Sequence, residues 1–277
     1  MLNYSPRVTT GTIDSTCAEL GTPKPKGYTE RLAQAELINT NLAKFSTAGT
    51  AGELISTVFD ELAAGRHPAD SEAVRRLAVM TQLQGYELHR TAEDRAKGIT
   101  AAAVAEFADH FVADWAKATD ADGETLLAAA HTETFADVTN LADMHPSQLT
   151  DPADHKTWVA AAVAERRLNA AASGVTSLIA SSALGYRPEL RVLILQPELT
   201  LDELDEIKRD LLPGQKADAW HVARIGRAPK LCRNLGDFVA AVGRIGAEHA
   251  HRQAEAEEQA APVGFSGGRR NAELTGR

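Results

Sequence analysis

Five cations, Lys216, Arg224, Arg227, Lys230 and Arg233, lie close together in this chain with a single acid, Asp218, among them, and they surround Trp220 and His221. Cations can hold phosphate oxygens and an indole can stack a base, so this is the segment with which the chain would bind nucleic acid. No helix-turn-helix pattern adjoins it, and arginines scattered over a solvated strand and loop account for the same residues.

Other chemistry is sparser. Among the nine histidines, Glu106 and His110 share a helical face, Asp143 neighbours His145, and His249 and His251 diverge on a helix. None completes a His-Glu-x-x-His or Glu-x-x-His set, so no metal or cofactor is expected. Asp120, Asp122 and Gly123 match the third, fifth and sixth positions of a calcium loop, but Ala118 and Ala129 stand where its first and twelfth ligands belong. A solvated turn explains those residues better. There is no Gly-x-Ser-x-Gly elbow, Walker loop or Gly-x-Gly-x-x-Gly run. Cys17 and Cys232 are far apart and without ligand spacing, which fits free thiols in a reducing, cytoplasmic or other intracellular or virion-associated setting. The N-terminus lacks the basic and apolar regions of a secretory signal.

The elements that would position such groups are mainly helical. Aromatic residues are only 5% of the chain and alanine is abundant, so cores should form by close helix approach through small side chains. The net charge of −9 arises in the first two thirds, whereas residues 186–277 hold equal numbers of acids and bases. Acidic surface repels phosphate and anionic lipid, which leaves the C-terminal third as the place for any nucleic acid. The alanine, arginine and aspartate bias is that of a GC-rich genome, bacterial or phage.

Residues 1–27 show no period and read as a flexible N-terminal arm. A helical bundle of about six helices is expected over 28–186. Its helices begin near Thr29, at the Thr50 to Glu53 capping box, at Asp70 or Ser71 with a stop at Gly98 and Ile99, at Thr100, near Glu124 running to Asp143, and at Asp151-Pro152. Val104, Phe107, Phe111, Val112 and Trp115 form the clearest amphipathic stripe.

Leu168 to Tyr186 carries no formal charge. Four serines, a threonine and an asparagine make it a poor membrane span, so no membrane association is expected. A closely packed helix is the better reading, with Ala172, Val175, Leu178, Ile179 and Ser182 forming a packing or oligomer interface. Beyond it the pattern predicts a small βαβα module over 187–260: a strand at 191–196, a helix opened by the Thr200 to Glu203 capping box and closed at Pro213-Gly214, a strand at 219–225, and a last helix from Leu235 or Gly236. Residues 261–277 read as a flexible tail.

The function expected first is a non-catalytic helical interaction or assembly protein whose partner is itself or another protein, one form being a structural component of a phage or virion. The alternative is a nucleic-acid-binding accessory factor using 216–233. The third is an enzyme with its site between bundle and α/β module, where Glu, His and Arg could meet.

Overall fold

A computed structural model of the protein describes residues 6–47, 51–85, 88–182, 190–211 and 215–260. Among these, the chain forms eleven α-helices and no β-strand. The mainly helical class expected from composition therefore holds. The two strands of the expected βαβα module do not.

The first helix, α1 (Pro6–Leu20), occupies most of the segment expected to be a loose arm. Ile13, Cys17 and Leu20 recur at helical spacing and are all buried, with Thr9 and Thr16 beside them. Threonines lower its intrinsic helix propensity, so tertiary packing supplies the stability that the local sequence lacks. Gly21 ends it at φ +66°, a conformation open to glycine, and the Thr22 amide closes back on the Cys17 carbonyl.

Next come α2 (Lys26–Thr47), α3 (Ala51–Ala63), α4 (Glu72–Gly85) and α5 (Leu88–Ala118). The last runs straight through Gly98, where a stop was expected; an isolated exposed glycine weakens a helix by about 1 kcal/mol without breaking it. Then α6 (Asp120–Ala130) ends ten residues or more before the expected boundary near Asp143, and three 3₁₀ turns carry the chain from Glu133 to Gln148. Those turns bury Phe135 and Leu141, the latter one of the residues that, with Leu127, Thr134 and Val138, give the segment a helical face in sequence.

The long helix α7 (Pro152–Ser181) is capped by Asp151, whose carboxylate accepts from the Ala153 amide at 2.8 Å. It packs on α1, α5 and α6. Gly174 permits the closest approach, since a Cβ there would stand 2.6 Å from the Trp115 ring and 2.9 Å from the Thr16 hydroxyl. Against this wall Tyr28, Phe111 and Trp115 form an aromatic ladder, with centroid distances of 4.9 and 5.5 Å.

Past the segment 183–189, which lies outside the described residues, come α8 (Val192–Leu195), α9 (Leu201–Asp210), α10 (Ala219–Arg224) and α11 (Leu235–Ala260). The expected strand at 191–196 is a single helical turn with all four of its residues buried. A short, continuous apolar run has no period, so burial alone leaves helix and strand equally available. At 219–225 the sign of helix is Asp218, whose carboxylate caps the Trp220 and His221 amides at 3.0 and 3.2 Å. The capping box of α9 forms as expected: Thr200 Oγ1 accepts from the Glu203 amide, and the Glu203 carboxylate accepts from the Thr200 amide. Its expected closure at Pro213-Gly214, the residues 183–186 of the uncharged stretch, and the tail 261–277 lie outside the described residues. Buried residues from Ile13 to Ile245 join one apolar cluster, so the bundle and the C-terminal helices share a core.

Candidate functional site

One face of α7 presents Glu165, Asn169 and Ser173, each a turn apart, to the C-terminal helices. Asn169 Oδ1 accepts from the Ala219 amide at 3.2 Å. Arg191 donates from one guanidinium nitrogen to the Asn169 carbonyl at 3.2 Å and to Ser173 Oγ at 2.9 Å. These bonds fix the start of α8 and α10 against the bundle.

Where α10 begins beside this seam, Asp218 caps the helix and holds His221. The Asp218 carboxylate oxygen that caps α10 also lies 2.6 Å from His221 Nδ1, so that nitrogen carries the proton and donates. His221 is 2% exposed and its Nε2 is buried with no partner. Burial, and after it the charge of Asp218, pushes the Glu165 carboxyl up to about 8.

A cleft of about 600 Å³ lies between α6 and α7, lined by Asp122, Thr125, His155, Lys156, Val159 and Val163, and none of Glu165, Asp218 and His221 is among the residues that line it. Among the described residues no group of three His, Cys, Asp or Glu side chains is placed to hold a metal ion.

The basic segment is taken apart by the fold. Trp220 is fully buried and donates its indole N–H to the Val138 carbonyl at 2.8 Å, so it offers no face to a base. Arg224 pairs with Asp210 at 3.2 Å and Arg227 with Glu203 at 2.7 Å, both acids from α9. Burial pushes Glu203 up, but hydrogen bonds from Thr200 and Arg227 outweigh it and hold the carboxylate below its usual range. Lys216, Lys230 and Arg233 are exposed, the first before α10 and the others after it. The six residues do not form one surface. Of the proposed interface set, Ala172, Val175, Leu178 and Ile179 are buried within the chain's own core, and Ser182 caps the end of α7 through its own turn. The calcium-like segment is the first turn of α6, where Asp122 binds Arg167 at 2.9 Å and Gly123 sits directly beneath the Pro229 carbonyl.

Sequence reading missed the surface that the structure leaves unmatched. In α3 and α4, which pack mainly on each other, Ile55, Phe59, Leu62 and Val79 are exposed, Phe59 by 66%. The first three lie at i, i+4 and i+7, and that signal was present. Period reports an apolar face, not what covers it. No helix among the described residues is long and apolar enough to cross a membrane. Compared with known proteins, the chain matches no family model, no curated protein and no solved structure.

Proposed function

We propose that this is a non-catalytic assembly protein whose copies associate through the α3–α4 hairpin. The observation that carries this reading is the exposed row Ile55, Phe59, Leu62 and Val79 on a hairpin with little other packing. Scattered single apolar residues are ordinary on a surface; Ile55, Phe59 and Leu62 instead share one face of α3, with Phe59 two-thirds exposed, and such a row marks an interaction face. The charges favour a second copy as its occupant. Helix α3 carries Glu53, Asp60 and Glu61 and no cation, whereas α4 carries Arg75 and Arg76, which share Glu72 of their own helix at 3.9 and 3.3 Å and leave it with one positive charge in excess. A two-fold axis would lay α3 of one protomer along α4 of its partner, joining apolar rows and opposing charges twice over.

Light scattering at 1–100 µM tests this directly, with a dimer or higher closed oligomer expected. Phe59→Asp and Leu62→Asp, at exposed positions that add nothing to the core, should return the mass to that of a monomer without lowering thermal stability. A wild-type monomer at about 100 µM, or an oligomer indifferent to both substitutions, would refute the reading.

A further inference from the structure

We propose that the cleft between α6 and α7 binds a small aliphatic carboxylate, its chain laid against the valines of α7 and its head at Lys156. The inference is independent of assembly through α3 and α4.

The period of α7 builds the trough. Lys156, Val159, Ala160, Val163 and Ala164 fall at i, i+3, i+4, i+7 and i+8, so they share one face of the helix, and all five line the cleft of about 600 Å³. That volume lies within the range of pockets that take small molecules. Helix α6 covers only part of this face, for Val159 and Val163 each remain 42% exposed. Ala160 and Ala164, with one carbon each beyond the backbone, leave the space that larger residues would fill. From Lys156 to Ala164 the face runs about 12 Å, a length that the extended chain of decanoate matches.

Charge sets the direction of the ligand and the class of its head group. Lys156 is exposed, and no acid among the described residues is paired with it. The acids nearest it in sequence are committed elsewhere: Asp151 caps the Ala153 amide, and Asp154 accepts from Thr134 Oγ1 at 2.7 Å. Asp122, the carboxylate that lines the cleft, binds Arg167, which stands about 16 Å beyond Lys156 along α7. Thr125 gives its hydroxyl proton to the Ala121 carbonyl. The cleft thus has apolar walls, an uncommitted cation at one end, and an acid already neutralised by an arginine of its own chain. An amphiphile with a single negative charge complements all three.

Methyl ¹³C–¹H shifts of the full chain, titrated with sodium decanoate below its micelle concentration, read the binding. Val159 and Val163 should shift together and saturate, with a dissociation constant of about 1 mM or tighter. Hexanoate should bind at least about tenfold more weakly, because each buried methylene is worth up to about fourfold. Lys156→Met, at an exposed position outside the core, should weaken decanoate about two- to fivefold, the share of an exposed ion pair, and leave the binding of uncharged decanol as it is. Shifts that do not saturate, or that gather at Ile55 and Leu62 of the α3 row instead, overturn the proposal, as does a Lys156→Met protein that binds decanoate as tightly as the wild type. Val159 and Val163 methyls that ignore decanoate but shift when the chain oligomerises would mark the cleft as a protein contact and overturn it equally.

Discussion

Replacing Gly174 by alanine sets two effects of similar size against each other. Glycine inside a helix loses about 1 kcal/mol relative to alanine, so local propensity favours the substitution. The added methyl would meet the Trp115 ring at 2.6 and 2.7 Å and Thr16 Oγ1 at 2.9 Å. Trp115 is fully buried and stacked on Phe111, so its ring has nowhere to swing, and α1 itself would have to lift. Overpacking of this kind costs about 1–3 kcal/mol, towards the upper end where the neighbour is a rigid ring. The net expectation is a loss of roughly 1–2 kcal/mol, a fall of several degrees in Tm for a chain of this size. Gly98, in α5, has nothing within 4 Å of where its Cβ would stand, so Gly98→Ala should gain up to about 1 kcal/mol. Urea unfolding of both variants decides the matter. If Gly174→Ala is as stabilising as Gly98→Ala, the close contact of α1, α5 and α7 is not as described.

Three further outcomes follow from buried groups. Gly123→Ala should destabilise by about 2 kcal/mol or more in urea, because its methyl would overlap the backbone carbonyl of Pro229 rather than a side chain that can move. Tyr28→Phe should be neutral or stabilising by up to about 1 kcal/mol, since the Tyr28 hydroxyl is buried without a partner; a clear loss would mean that the hydroxyl is bonded in solution. Cys17 and Cys232 are both buried, and burial, with Asp237 nearby, pushes the Cys232 thiol up to about 12, so neither should react with a thiol reagent at pH 8 until the chain unfolds. Rapid labelling of native protein would contradict the placement of both.

What sequence could disclose depended on whether the signal was local. Asp151-Pro152 and the Thr200 to Glu203 box are complete within a few residues, and both helices start where those residues say. The α5 stripe from Val104 to Trp115 likewise needs only its own period. By contrast α1 has its apolar positions spaced correctly, but its threonines argue against helix, and what decides is α7 some 150 residues away. The runs at 192–195 and 219–223 are buried, so no alternation distinguishes helix from strand. The candidate site was least legible of all. Asp218 stood in the sequence as the lone acid among the cations of 216–233, and only the fold makes it the cap of α10 and the partner of His221.

The pairing of α1 with α7 also bears on how the chain is made. Thr16 reaches the Ala170 carbonyl across 154 positions, and Glu19 reaches Arg166 across 147. At synthesis rates of about 5–20 residues per second, α1 leaves the ribosome some 7–30 s before its partner. For that interval Ile13, Cys17 and Leu20 have no α7 to cover them. The closing of α1 onto α7 is thus a late, long-range step in folding rather than an early local one.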